Sequence, residues 1–422
     1  MKVTRTKLKN GLKTVIIETP DSNVVATTLF IGAGGRYENP ESYGLSHFLE
    51  HMLFKGTKKY PNKEVYATAI ESIGGQQNGG TDLDYTCYLN IVPKEYYALA
   101  FDSILEQVKN PLIPAEEIER DRGVIIEEGR MRSDDPSTLV WDKLTGVMWP
   151  GQPLGSDVLG PEKNLKTFQR PQFIEYMNMH YRVENMALAV AGGVKASEIT
   201  PILEDIFGQL EKGQKTEPLP IVEDQTESRT ALIEKNIDQA NLILAYKTFP
   251  ISDKRKVALD VLSSILGSGM GSILFREVRE KRSLAYRIFS SAEYFSDAGV
   301  FAIYAGLNRD NVEEAIEAIK AELAKTVAAP IGEEDIKRAK EFLKGSFKIS
   351  METAGSLANW YGRKELTHPD TPDPEEIFEQ IDKLSTEDLT EVAKEIFRPE
   401  RENLLIVGPY KDKTKFEKAL KS

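Results

Sequence analysis

The sequence predicts an α+β fold built from two tandem copies of one unit, each an antiparallel-rich sheet packed with helices. Three observations lead there. Short segments of alternating or continuous apolar residues are interleaved with longer stretches of helical period. The same order of segments occurs twice along the 422 residues. Between the two runs lies a polar, proline-containing stretch, Glu211-Lys212-Gly213-Gln214-Lys215-Thr216-Glu217-Pro218-Leu219-Pro220, which reads as an extended linker. A period of half the chain is far above the ~20–50 residues of a solenoid repeat. The expected division is residues 1–215, a linker over 216–229, and residues 230–422.

In the first copy, residues 13–18 alternate as a strand, residues 24–31 follow as a second, and a helix carrying two histidines comes next. Residues 85–92 read as a strand, 94–108 and 115–131 as helices, and 186–191 as a buried strand ended by Gly192-Gly193. In the second copy, 230–234 and 240–246 read as strands, 254–266 as a helix, 299–306 as a strand, and 311–327 and 333–350 as helices. Residues 403–408 then mirror 186–192. The loop before the long second helix also recurs, as Pro111-Leu112-Ile113-Pro114-Ala115-Glu116-Glu117 and Ala329-Pro330-Ile331-Gly332-Glu333-Glu334.

The formal charge of −12 argues against a nucleic-acid partner, which wants a basic face. Cys87 is the only cysteine, so neither an intrachain disulfide nor a cysteine metal cluster within one chain is expected. No window approaches the ~20 apolar residues of a membrane span. The opening Met1-Lys2-Val3-Thr4-Arg5-Thr6 leads into no apolar stretch of signal-peptide length. No membrane partner is expected, and a cytoplasmic location is.

The chemistry concentrates in Gly44-Leu45-Ser46-His47-Phe48-Leu49-Glu50-His51-Met52-Leu53-Phe54. On a helix, the spacing of His47 and His51 puts both imidazoles on one face, within reach of a single ion. Glu50 lies just off that face, where it can hold a water on the metal; this is the H-x-x-E-H order. Such a histidine pair alone is as often an accident of an amphipathic helix as a metal site. Here Leu45, Phe48, Leu49, Met52 and Leu53 mark the helix as buried, and two buried histidines and a glutamate need partners. A zinc ion supplies them.

Zinc needs a third protein ligand, with water as the fourth. The helix over 115–131 offers Glu127 and Glu128. At roughly 100° per residue, Ile118, Val124, Ile125 and Ile126 define an apolar arc that contains Glu128 and leaves Glu127 on the solvent side. Asp121, seven residues before Glu128, falls on the same stripe and is placed behind the ligands, orienting one of them. The bland alternative pairs both acids with Arg120, Arg122 or Arg130. His180 and His368 receive no role.

These residues resemble the inverzincin peptidases of the pitrilysin and mitochondrial processing peptidase type, in particular their half-length bacterial-type members. Residues 47–57 are similar to that family's zinc motif. Its third ligand, a glutamate about 77 residues beyond the second histidine, falls on Glu128, since 128 − 51 = 77. The family usually has a glutamate where this chain has Asp121. Similarity continues through residues 74–81, 181–192 and 275–286, over essentially the whole chain. It implies that peptide adds as a strand at Asn78, Gly79 and Gly80, although family members more often have alanine after the asparagine. On local sequence alone Gly79-Gly80 reads equally well as a turn. It also implies that Arg279 and Tyr286 hold the substrate backbone and stabilise the oxyanion. Without the resemblance they read as a solvated arginine and a half-buried tyrosine. Leu259-Asp260-Val261-Leu262-Ser263-Ser264 stands where His47 to Met52 stood, so the second copy is expected to be non-catalytic.

The activity implied is that of a zinc metalloendopeptidase. One Zn²⁺ per chain is held by His47, His51 and Glu128, with Glu50 as general base and Tyr286 at the oxyanion. The implied architecture is a half-clamshell that dimerises to close a chamber around short or unfolded peptides. Zinc motif and Arg279–Tyr286 pair share one chain, so a homodimer is expected, with a heterodimer as the alternative. Two other readings stay open: a leader-processing peptidase with a narrow substrate, and a non-catalytic partner or scaffold subunit. The intact motif speaks against the second.

Overall fold

The computed structural model describes residues 1–421. Among them the strands β1 (Lys2–Lys7), β2 (Lys13–Glu18), β3 (Val24–Ile31), β4 (Gln76–Thr81), β5 (Thr86–Pro93) and β6 (Met186–Gly192) form one sheet in the order β1-β2-β6-β3-β5-β4. A second sheet holds β7 (Arg229–Glu234), β8 (Gln239–Thr248), β9 (Ala285–Tyr294), β10 (Gly299–Asn308) and β11 (Glu402–Gly408) in the order β7-β11-β8-β10-β9. With β1 set aside, the two orders coincide strand for strand. In each, one pair is parallel (β2 with β6, β7 with β11) and the remaining pairs are antiparallel. The repeat read from the sequence is a repeat of topology.

Two strands carry no period that would reveal them. β4 is the polar run Gln76-Gln77-Asn78-Gly79-Gly80-Thr81, yet it pairs with β5 from Gln76↔Ile91 to Thr81↔Thr86. This corrects the reading of Gly79-Gly80 as a turn: the burial of β5 supplies the drive, and the ladder recruits whatever segment lies beside it. β9 is interrupted by an irregularity near Tyr286, which hides its alternation. Among the described residues, no helix is long and apolar enough to cross a membrane.

The chain divides into two compact units, each built on one sheet but neither on one contiguous stretch. The first comprises Met1–Gly129, Ser156–Leu219 and Ile349–Pro369; the second comprises Arg130–Gly155, Pro220–Lys348 and Asp370–Ser422. The passage at Leu219/Pro220 falls inside the expected linker. The simple division into 1–215 and 230–422 is redrawn nonetheless, because residues 130–155 belong with the second sheet and 349–369 with the first. The reason is that each sheet has two apolar faces to cover. In the first unit, Val25, Leu29 and Ile31 of β3 face a core shared with the histidine helix and with helices Tyr97–Lys109 and Ala196–Phe207. Val15, Ile17, Ala26, Ala189 and Ala191 face the other way, onto Ala354, Leu357, Ala358 and Tyr361 of helix Ala354–Thr367. In the second unit, helix Pro136–Asp142 lies in the same manner against β8 and β11. Apolar period reveals a face to be covered, but not which distant element covers it.

Helix Ala354–Thr367 approaches the first sheet closely at Gly362. A Cβ built on Gly362 would meet the Phe30 ring at 2.5 Å and the Ala189 Cβ at 2.9 Å. Gly362→Val should therefore lift this helix and destabilise the first unit by about 1–3 kcal/mol, despite the better helix propensity of valine. Thermal unfolding of the variant beside wild type checks this, and an unchanged midpoint would contradict the close packing.

Candidate metal centre

The short helix Leu45–Met52 begins at Gly44, whose φ of +96° suits glycine. A Cβ there would lie 2.5 Å from the Leu159 carbonyl oxygen, so the chain at 159–160 can cross the helix start only at a glycine. The backbone N–H groups of Gly44 and Ser46 donate to the Glu38 carboxylate at 2.8 and 2.6 Å. A buried acid thus satisfies donors that a helix start leaves without partners. Burial pushes the Glu38 carboxyl up to about 8, against the opposing pull of its bonds to Ser46 and Gly44.

Leu45, Phe48, Leu49 and Met52 anchor the helix in the core, which fixes the side facing the cluster. The rings of His47 and His51 lie 4.7 Å apart at 67°. Glu128, on helix Ala115–Asp134, places Oε2 at 3.7 Å from Nε2 of both histidines. One ligand atom from each of His47, His51 and Glu128 lies within 4.8 Å of the others. Zinc bonds of ~2.0–2.2 Å in a tetrahedral site put neighbouring ligand atoms roughly 3.3–3.6 Å apart, so the glutamate–histidine distances need to close only by tenths of an ångström. Two imidazoles and one carboxylate are also the donor chemistry of a catalytic zinc site with one position left for water. The residues present fit the ion.

Glu127 is exposed and outside the cluster, as the helical argument places it. Val124, expected on the buried arc, is instead 52% exposed; the true buried stripe is narrower, with Ile118, Asp121 and Ile125 on it. Arg120 pairs with Glu117 and Arg122 with Glu119, rather than with the two acids in question. Asp121 is buried and uses both oxygens: Oδ2 lies 3.0 Å from His51 Nδ1, and Oδ1 accepts from Lys55 Nζ. Burial alone would raise the Asp121 carboxyl, but the bonds from His51 and Lys55 hold it below its ordinary value. Burial alone would lower the His51 imidazole, but its bond to Asp121 and the charges of Glu50, Asp121 and Glu128 raise it. With Nδ1 engaged by Asp121, Nε2 is the nitrogen turned to Glu128.

Glu50 is buried beside this cluster, and the Thr81 hydroxyl donates to its Oε2 at 2.8 Å. Burial pushes its carboxyl up, opposed by the Thr81 bond and the His51 charge. β4 therefore runs directly alongside Glu50: a Cβ on Gly79 would come within 3.0 Å of Glu50 Oε1 and 2.9 Å of Phe54 Cε2. Asn78 is exposed and accepts from the Gly79 N–H through Oδ1 at 2.9 Å, and Gly80 follows on the same edge strand. Lys55, Thr81 and Glu38 were not anticipated as parts of the site. Lys55 stands four residues after His51 and was legible as one stripe of the same turn, whereas Thr81 needed knowledge of the β4–β5 pairing.

Arg279 and Tyr286 belong to the second unit. Arg279 sits in the π-helical turn Phe275–Glu280 with its guanidinium 4.4 Å from the Phe275 ring. Tyr286 is 48% exposed, its ring lying over Gly306, where a Cβ would come 2.6 Å from Cζ. Together with Asn308 and Asn311 the pair lines one groove of about 350 Å³. His180 is buried, 3.0 Å from Thr216 Oγ1, and burial pushes its imidazole down to about 4.

Asp121→Asn keeps the shape but loses the charge that orients His51. Zinc affinity should fall about 10–100-fold, measured by competition with a chelating dye; unchanged affinity would remove Asp121 from the support of the site.

Two family descriptions match the chain in succession. "Insulinase (Peptidase family M16)" covers residues 13–162, which hold His47, Glu50, His51 and Glu128. "Peptidase M16 inactive domain" covers residues 167–343, which hold Arg279 and Tyr286. An "uncharacterized zinc protease" of Rickettsia bellii (strain RML369-C) is 34% identical over 404 residues, 96% of this chain and 97% of its own. "Uncharacterized zinc protease YmxG" of Bacillus subtilis (strain 168) is 32% identical over 395 residues, 94% of this chain and 96% of its own. The crystal structure of a protease from Helicobacter pylori shares the fold, with a TM-score of 0.89 at 24% identity over 96% of this chain and 99% of that one. With relatives above 30% identity along nearly its whole length, the chain belongs to peptidase family M16, the insulinase family, whose members similar to it are named zinc proteases.

Proposed function

We propose that the protein is a zinc-dependent endopeptidase acting on short or unfolded peptides. The observation that carries this reading is the triangle of His47, His51 and Glu128 with a further carboxylate, Glu50, held beside it by Thr81. When bound, one zinc ion per chain supplies Lewis acidity, lowering the pKa of water towards ~7 and polarising a carbonyl. His47, His51 and Glu128 hold the ion. Glu50 Oε2 is engaged by Thr81, which leaves Oε1 to take a proton from the attacking water and pass it to the leaving amine. Burial favours the protonated form of Glu50, so the proton is retained between those transfers.

β4 ends its sheet, and an extended peptide added along it at Asn78, Gly79 and Gly80 would lie next to Glu50. Backbone pairing of that kind tolerates many sequences and excludes folded substrates. We assign Arg279 and Tyr286 to the substrate backbone and the oxyanion, as hydrogen-bond donors that line one exposed groove. The assembly we infer is a homodimer enclosing a chamber, with an unlike partner as the alternative. Leader processing differs from general peptide degradation only in breadth, which the cleavage products of an unbiased peptide pool distinguish.

Glu50→Gln should lower cleavage of an unstructured quenched-fluorescent peptide by about 10²–10⁴-fold while zinc content stays at one per chain. Wild-type turnover in that variant would sink the reading. Tyr286→Phe should lower kcat by about 10²–10³-fold with little change in KM. Steady-state kinetics on the same peptide decide it, since a change confined to KM would make Tyr286 a binding residue only.

A further inference from the structure

The second sheet carries an irregularity with a chemical consequence. β10 pairs with β9 in regular antiparallel register from Gly299↔Tyr294 to Gly306↔Arg287, but the next residue, Leu307, pairs with Ala285. Tyr286 is the extra residue of a β-bulge. Side chains alternate along a regular strand, so neighbours point to opposite faces. The bulge breaks that rule, and Tyr286 and Arg287 are consecutive exposed residues on one face. The Tyr286 ring lies over Gly306; the Arg287 guanidinium lies 5.1 Å from the Phe289 ring and 5.7 Å from the Tyr304 ring. Trp141, from helix Pro136–Asp142, stacks at 20° on the same two rings, 6.1 and 6.3 Å away. Arg287, Phe289, Tyr304 and Trp141 line a cleft of about 260 Å³ together with Arg132 and Asp142.

Charge decides what such a cleft takes. Asp142 is held by Arg132 through bonds of 3.1 and 2.5 Å, and Asp135 accepts from the hydroxyls of Ser137 and Thr138. The acids around the cleft are therefore engaged. Among the described residues no carboxylate accepts from Arg287, although the chain carries a net charge of −12. A guanidinium held against aromatic rings is partly pre-organised and keeps N–H donors that can take a carboxylate by two parallel bonds. The aromatic wall then accommodates the methylenes that carry the carboxylate. Tyr304 also interacts with the Tyr286 phenol, so the cleft adjoins the groove assigned above to the substrate backbone.

We propose that Arg287, on its shelf of Phe289, Tyr304 and Trp141, forms a specificity subsite for a peptide carboxylate, either an acidic side chain or the C-terminus. The proposal rests on the peptidase reading for its place beside the substrate backbone. The test uses one neutral peptide frame with Glu, Gln or Lys placed in turn at each position around the cleaved bond, each made as the C-terminal acid and amide. Zinc-loaded wild type, Arg287→Gln and Arg287→Glu are compared by the ratio of kcat/KM for Glu over Lys peptides. At one position wild type should favour Glu by about fivefold to tenfold, Arg287→Gln should flatten that ratio, and Arg287→Glu should invert it. A ratio that instead follows acid against amide identifies the C-terminus as the carboxylate read. Ratios equal in all three proteins overturn the subsite. Fluorescence anisotropy of the same peptides on zinc-loaded Glu50→Gln, with and without the Arg287 substitutions, reads the site without turnover. An Arg287-dependent preference there with no cleavage by wild type leaves the subsite standing and removes the peptidase reading; equal binding of Glu and Lys peptides removes the subsite.

Discussion

The hydrogen-bonded chain Lys55–Asp121–His51 ties together the two helices that carry the candidate metal centre. One end is on the turn after the histidine helix, the middle on helix Ala115–Asp134, and the other end is a proposed ligand. A buried carboxylate and ammonium cost more than their attraction returns unless further bonds complete them. Here Asp121 spends one oxygen on each partner, so the pair is completed by the histidine itself. Once Asp121 is fixed, Glu128 stands two turns further along the same stripe, roughly 10 Å up the axis, on the face that meets the imidazoles. The same stripe thus supplies both a clamp and a proposed ligand.

Much of this was legible because it is local. Helical period alone separates Glu128 from Glu127 and joins His47 to His51, and the hydrophobic flanks bury the helix between them. Contributions that depend on pairing between distant segments were not legible. Thr81 reaches Glu50 only because a polar run with no alternation is recruited as an edge strand. Arg287 joins Tyr286 on one face only because of a bulge that no period announces. Val124 shows the opposite failure: an apolar residue at the right angle for burial lies where the helix has no neighbour.

The two sheets share a topology but treat the space beside the last strand differently. In the first unit, helix Leu45–Met52 stands off β4 far enough for the Glu50 carboxylate to lie between them, over the missing side chain of Gly79. In the second, helix Lys256–Gly267 closes onto β9: a Cβ on Gly267 would be 2.0 Å from the Ser290 nitrogen, and Ser290 bonds the Ser263 carbonyl at 2.7 Å. Serines 263, 264 and 290 are all buried there. Among the described residues the second unit has no counterpart of the His47, His51 and Glu128 group, and its helix packs directly on the strand.

The reciprocal placement of residues 130–155 and 349–369 also bears on how the chain is made. The strands of the first sheet are complete once Gly192 has been synthesised, but the helix that covers their second face begins at Ala354. At ~5–20 residues per second, the apolar side chains of Val15, Ile17 and Ala191 wait on the order of 10–30 s on the ribosome without their cover. During that interval the nascent first half has an apolar sheet face without its covering helix. Completion of the first unit is therefore tied to synthesis of residues deep in the second half of the chain.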